Sequence, residues 1–273
     1  KAYITVGDDM TMRNRLIKLS ILKRGNWFLM YEALRQDPKL TQFSIEPSAE
    51  SLFDDIQTRI VTIVDEEYPS YFKQMEMPPF VLYYQGDLNL LKEKKIGIMG
   101  TNRPSTYGMK SCQTLVAQLI NQNIVIVGGL DLGIDAIAHH VSSKNGKSIA
   151  VLASGFSRIY PSENYQLYQL MVKGHLVISE FPPHIPIGRQ HFYLRNRIIT
   201  ALSDILMIIE ATKEGRMTHV AKQALYDGKI IYALPGEYNS IYSEGSLELI
   251  KEGANCLTDY KEILDELKMI YPL

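Results

Sequence analysis

Ile96-Gly97-Ile98-Met99 runs straight into Gly100-Thr101-Asn102-Arg103-Pro104-Ser105 and then into an amphipathic stretch over 106–121. An apolar run without polar alternation reads as a strand buried on both faces, the mark of a parallel sheet. The same unit recurs downstream. Apolar runs stand at 124–127, 149–152, 176–178, 205–209 and 230–234, and amphipathic stretches at 135–143, 163–173, 196–202 and 214–227 separate most of them. Strands alternating with helical crossovers predict an α/β fold with a doubly wound, mostly parallel sheet. Ligands of such sheets sit beyond the carboxyl ends of the strands, so the residues after each run are the candidate site.

Upstream of residue 95 the pattern is mixed. Leu16, Leu19, Leu22, Phe28, Leu29 and Ala33 recur at helical spacing over 11–36, and Pro47-Ser48 reads as a further helix start. Residues 60–64 and 80–84 are short β-type runs, with Pro69, Pro78 and Pro79 between them and Gly86-Asp87 closing the second. This divides the chain into a small helical N-terminal domain, 1–58, and an α/β body, 59–273, entered through a lead-in segment over 59–95. The 273 residues, 46% hydrophobic and 22% charged, are enough to bury a sizeable core. No apolar stretch is long enough to span a bilayer, and no signal peptide is read at the start, although the chain opens on Lys1 and not on Met. Two cysteines, Cys112 and Cys256, exclude a disulfide framework and a Cys-rich zinc site, and point to a reducing, cytoplasmic setting. With 29 basic and 30 acidic residues the net charge is −1, so any nucleic-acid contact has to rest on a local patch.

The strand ends carry the candidates. Gly100 to Ser105, followed by Tyr107-Gly108, is a glycine turn into a helix N-terminus, where free backbone N–H groups suit an anion and Arg103 adds a cation; a plain turn with a solvated arginine is the alternative. The dinucleotide spacing G-x-G-x-x-G is absent. Gly128-Gly129 and Gly133 allow close approach of backbone to ligand, while Asp135 and His139, four apart, share a helix face. That pair fits a metal or acid–base role, or a helix cap with a local histidine bond. Ala153-Ser154-Gly155 leads to Tyr160-Pro161, and Tyr160 offers either a stacking face or a core ring. After Glu180 comes Phe192-Tyr193-Leu194-Arg195-Asn196-Arg197. If Asn196 caps a helix, Arg195 lies in the loop before it and Arg197 in the first turn, held there by an anion or by an internal carboxylate such as Glu210 or Asp204. Pro235-Gly236 ends the last run on the same rim.

Taken together these segments resemble the DNA processing protein A (DprA, also Smf) family. The matching elements are Gly100-Thr101 through Tyr107-Gly108, Gly129-Leu130 with Gly133-Ile134-Asp135 and Ala138-His139, and Ile149 to Gly155. Tyr160-Pro161 with Glu163-Asn164, Ser179-Glu180 with Pro182-Pro183, Phe192 with Arg195 to Ile199, Glu210-Ala211, Pro235-Gly236 and Gly253-Ala254 complete the set. Upstream, Tyr68-Pro69, Pro78-Pro79, Val81-Leu82-Tyr83 and Gly86-Asp87-Leu88 look like this family's entry segment. The resemblance covers roughly 60–260, and its specificity lies in the number and order of short motifs.

The resemblance implies an extended Rossmann-like domain behind a helical one. It implies a protein without catalytic chemistry or cofactor that binds single-stranded DNA, protects it and loads the RecA recombinase during natural transformation. The positions it assigns to DNA are Gly100, Thr101, Asn102, Arg103, Gly129, Gly133, Asp135, Ser154, Gly155, Tyr160, Pro161, Asn164, Phe192, Arg195, Asn196, Arg197 and Gly236. It implies neither catalytic nor metal-binding residues. Departures fall on basic positions. Asn102 stands where the family has Arg, Leu132 where it has Arg or Lys, and Ser162 where some members have Lys; Gly128 and Asp131 replace Ser and Ala. Each lost cation removes about one phosphate contact of salt-dependent affinity, which would weaken DNA binding or shift it to Arg216, Arg189 and Lys173. No winged-helix tail is expected with the last residue at Leu273. A homodimer through 245–270 is expected from Leu247, Leu249, Ile250, Ile263 and Leu267, with packing of those residues on their own sheet as the alternative. Two other functions compete: a nucleotide phosphoribohydrolase of the lysine-decarboxylase-like type, whose Pro-Gly-Gly-x-Gly-Thr-x-x-Glu motif Pro235-Gly236-Glu237-Tyr238 does not supply, and a degenerate family member that binds partners but little DNA.

Overall fold

The computed structural model describes residues 11–41 and 58–272. Two helices, α1 (Met12–Leu22) and α2 (Trp27–Gln36), open it. The single helical stretch read over 11–36 is broken at Arg24-Gly25, both with left-handed φ (56° and 69°), where Gly25 N–H donates to Ser20 O at 2.8 Å and Asn26 caps α2. A β-carbon on Gly25 would also run into Pro182 and the Glu180 carbonyl, so the break is set by packing as well as by local geometry. The helix start read at Pro47-Ser48 lies outside the described residues.

The sheet has nine strands: β1 (Arg59–Thr62), β2 (Val81–Gly86), β3 (Lys95–Met99), β4 (Val125–Gly128), β5 (Ser148–Leu152), β6 (Leu176–Ser179), β7 (Ile205–Ile208), β8 (Ile231–Ala233) and β9 (Asn255–Cys256). Their order is β1-β2-β6-β5-β4-β3-β7-β8-β9. β1 pairs antiparallel with β2 and β2 antiparallel with β6, while every other pair is parallel. The fold is therefore α/β and Rossmann-like, with the lead-in segment added as two antiparallel strands on one flank. All the apolar runs of the sequence are strands. β9 was not legible, because Asn255 and Cys256 are both exposed and leave no apolar trace.

Helices cover both faces. One face meets α6 (Arg189–Leu202), α7 (Arg216–Tyr226) and α8 (Glu244–Lys251) through Val125, Val127, Ile149, Val151, Leu206 and Ile208. On the other, α3 (Thr106–Ile120), α4 (Ile134–Asn145) and α9 (Tyr260–Ile270) pack against Ile96, Ile98, Ile126, Ile205 and Met207. Beside them α1, α2 and α5 (Tyr165–Gly174) close the flank on Ala150, Leu152 and Val177. Among the described residues α1 and α2 share their core with the sheet: Leu16, Leu19, Trp27 and Met30 pack with Phe80, Tyr83 and Phe181, Tyr83 OH donates to Ser20 Oγ at 3.0 Å and Trp27 Nε1 to Pro78 O at 2.7 Å.

The chain steps from β3 outward to β4, β5 and β6, then crosses back through α6 to β7 on the other side of β3. The strand order thus reverses at β3, and the crevice beyond the carboxyl ends of β4, β3 and β7 is the switch point where open α/β sheets bind ligands. α6 differs from its expected span. It begins at Arg189, seven residues before the expected start, because its buried stripe of Leu194, Ile198, Ile199 and Leu202 also contains the polar Arg195 and Asn196, which hide the helical period.

Candidate functional site

The loops after β3, β4 and β7 meet at the switch point around a cavity of about 130 Å³ lined by Gly100, Thr101, Asn102, Asp131, Leu132, Asp135, Ala211, Thr212, Gly215, Arg216 and Met217. The first two loops interlock. Ile134 N–H donates to Thr101 O at 3.2 Å, and Gly133, with φ 78°, packs so tightly on Thr101 and Asn102 that a side chain there would meet their backbone. Only glycine fits that left-handed close approach.

The third loop brings in α7. Its N-cap is Gly215, and no side chain caps it. The first-turn N–H groups and the exposed Arg216 thus stand at one cavity wall, both ends positive. An arginine in a first turn opposes the helix dipole unless an anion joins them. Arg216 also lies over the Phe192 ring, 4.2 Å from its centroid, and Tyr160 meets Phe192 edge-on at 6.3 Å while 49% exposed. A cation on the cavity wall thus rests on the Phe192 ring, and Tyr160 stands against the edge of the same ring pair.

The N-terminus of α3, expected to receive an anion from outside, already holds one. The buried Glu210 accepts from Ser105 N–H at 2.8 Å and from Ser105 Oγ at 2.6 Å, and its carboxylate lies where a β-carbon on Gly108 would stand. The anion site of the rim thus moves from the helix after β3 to the helix after β7. Arg103 is exposed and does not line the cavity; its N–H donates to Thr101 Oγ1 at 3.2 Å.

Arg195 is not in a loop, nor Arg197 in a first turn, and Asn196 caps nothing: all three lie mid-helix in α6. Arg195 is 1% exposed and donates through Nη2 to Asp131 Oδ2 at 2.7 Å. Arg197 donates through Nη2 to both oxygens of the buried Glu180, at 2.5 and 2.7 Å, so its internal partner is Glu180 and neither Glu210 nor Asp204. Burial pushes the Glu180 carboxyl above its ordinary range, and the Arg197 charge pulls it partly back. Asn196 is 2% exposed and faces away from the cavity at the switch point.

Asp135 and His139 do share a face, and both are spent on one residue. Asp135 Oδ2 accepts from Gly129 N–H at 3.0 Å, and His139 Nε2 donates to Gly129 O at 2.7 Å in the neutral tautomer that accepts from Ser148 Oγ at Nδ1, 2.6 Å away. Burial lowers His139 to about 4. It raises Asp135, with help from the Asp131 charge, to about 7. The pair therefore fixes the backbone under the cavity, His139 from within the core and Asp135 from the cavity wall. Gly129 itself packs on the Arg195 guanidinium.

Four more expected positions are internal. Ser154 is buried and its carbonyl accepts from Ser179 Oγ at 2.8 Å, Gly155 N–H donates to Ile185 O at 2.8 Å, and Pro161 is buried behind a cis bond to Tyr160. Asn164 holds the loop after β4, donating to Leu130 O at 2.8 Å and Asp131 O at 3.1 Å. Gly236 lines a separate cavity on the far side of Glu210. The cavity at the switch point thus gathers Gly100, Thr101, Asn102 and Asp135 from the expected set, with Phe192 and Tyr160 beside it. Sequence reasoning left out Asp131, Thr212 and Gly215. Asp131 was readable as an acid in a glycine turn, whereas nothing local marked Thr212.

The sequence profile of the family described as DNA recombination-mediator protein A matches residues 59–268. The DNA processing protein DprA of Bacillus subtilis is 38% identical over 209 residues, 76% of this chain and 70% of that protein. Among solved structures, DNA processing protein A from Streptococcus pneumoniae superposes with a TM-score of 0.81 at 28% identity, covering 95% of this chain and 99% of its own. DNA processing protein A from Helicobacter pylori, solved in a study of its single-stranded DNA binding mode, gives a TM-score of 0.72 at 29% identity, covering 79% of this chain and 98% of its own.

Proposed function

Because the chain belongs to the DNA recombination-mediator protein A family, we propose that it binds single-stranded DNA at the switch-point cavity and delivers the strand to the RecA recombinase in the cytoplasm. One observation carries this reading: the uncapped N-terminus of α7 and Arg216 open together on the cavity, with Arg216 resting on the Phe192 ring and Tyr160 edge-on to that ring. Such a site offers an electropositive seat for a phosphate and ring faces for unpaired bases, the two ingredients of single-strand binding. A duplex hides its base faces and fits such a site less well.

In this reading the protein acts by binding and not by catalysis. Asp135 and His139, the acid–base candidates of the sequence, are buried in bonds to Gly129. The DNA-binding body of this reading starts at residue 59, and α1 and α2 pack onto it. A homodimer through 245–270 belongs to this reading, but Leu249, Ile263 and Leu267 are buried against their own sheet, so the surface left for a partner there is that of Met269, 78% exposed, and Ile270, 37% exposed.

The test is fluorescence anisotropy with a labelled oligo-dT at low and moderate salt, against a blunt duplex of equal length. Tighter binding to the single strand, weakening as salt rises, is expected. Equal or tighter binding to the duplex overturns the reading. Sedimentation with and without RecA tests delivery, with a joint complex expected.

A further inference from the structure

Arg195 is the largest side chain fully buried in the described structure, and it stands directly behind the switch-point cavity without lining it. What separates the two is Asp131, which lines the cavity, is 22% exposed at its side chain and holds Arg195 Nη2 through Oδ2 at 2.7 Å. We infer that Asp131 is a resident counter-anion, its carboxylate occupying the place on Arg195 that a strand phosphodiester takes when DNA binds, and that it thereby sets the affinity of the pocket. This rests on the single-strand reading above and concerns the same cavity.

Three features make the carboxylate displaceable. It grips the guanidinium through one oxygen, where arginine and an oxyanion in full contact form two parallel bonds, and Arg195 Nε is without a partner. The backbone at Asp131 is fixed separately, by Asn164 on the Asp131 and Leu130 carbonyls. The side chain can therefore turn toward solvent while the loop stays in place. When it turns, Arg195 is not stranded: Asp135, whose carboxyl already feels the Arg195 charge, lies beside it, and the incoming phosphate supplies the second anion. With the carboxylate seated, the cavity presents Arg216 as its cation; with it displaced, Arg195 joins Arg216.

The experiment compares wild type, Asp131→Asn and Asp131→Ser in anisotropy titrations with oligo-dT at several salt concentrations, with thermal melts on each. Asp131→Asn keeps an acceptor for Arg195 and removes the competing charge. About tenfold tighter binding is expected at each salt concentration, because no carboxylate has to be displaced before the phosphate reaches Arg195. The gain is expected to vanish when Arg195→Met is added to Asp131→Asn, since the seat itself is then gone. Unchanged or weaker binding in folded variants, a gain that survives Arg195→Met, or loss of folding in both single variants each overturns the inference. Failure of every protein to bind, wild type included, overturns the single-strand reading itself and the inference with it.

Discussion

Replacing Arg197 by alanine tests the buried pair that anchors α6 to the segment after β6. Glu180 is 4% exposed at its side chain and Arg197 11%, and both carboxylate oxygens rest on one guanidinium nitrogen. Arg197→Ala leaves the carboxylate buried without its partner, a change that destabilises proteins by about 3–5 kcal/mol. At about 2–4 °C per kcal/mol for a protein approaching this size, the melting temperature falls by roughly 6–20 °C. The loss depends on pH in a defined sense. The folded Glu180 carboxyl is already raised by burial and is held down only by Arg197, so the variant raises it further. A carboxyl whose folded pKa lies above the unfolded value contributes its full stability below the unfolded value, near 4.3, and loses it as pH rises through the folded one. The deficit of Arg197→Ala is therefore larger at pH 8 than at pH 5. Urea denaturation of both proteins at the two pH values measures it, and Glu180→Leu combined with Arg197→Met is expected to recover most of the loss. A deficit below about 1 kcal/mol, or one equal at both pH values, refutes the reasoning.

Glu210→Ala strips the N-terminus of α3 of its two Ser105 bonds and is expected to destabilise by about 1.5–3 kcal/mol, with faster hydrogen exchange in the first turn of α3. His139 is held neutral, its pKa lowered from 6.5 to about 4. A lowered folded pKa gives stability above pH 6.5 that is lost as pH falls toward 4. His139→Gln should therefore be less stable than wild type at pH 8 and should lose about 2–4 kcal/mol less between pH 7 and pH 4 in matched denaturation curves. Arg216→Ala, on an exposed first turn, should leave the melt unchanged, weaken oligo-dT binding and flatten the salt slope by about 0.7.

The strands were legible because parallel strands are buried on both sides: 96–99, 149–152 and 205–208 are apolar throughout and every residue of them is buried. The strand ends followed from that, and with them Gly100, Thr101, Asn102 and Asp135 at the cavity. What stayed hidden were pairings between distant charges. Arg195 finds Asp131 64 positions away, Arg197 finds Glu180 17 away, and Glu210 reaches Ser105 across 105. No local pattern encodes such a choice among carboxylates. The start of α6 was lost for a related reason, since two of the side chains on its buried stripe, Arg195 and Asn196, are polar.

The flanks of the sheet bear on how this molecule meets others. Among the described residues the sheet ends on β1, four residues long and opening on Arg59, and on β9, two residues long. Such short edges, one of them opening on an arginine, give an incoming chain little backbone to zip onto, which is how sheet proteins avoid growing into fibres. Strand addition is thus disfavoured as a mode of assembly along these borders. The surface that the described residues offer a partner is mainly helices and loops, where substitutions leave the nine-stranded ladder intact.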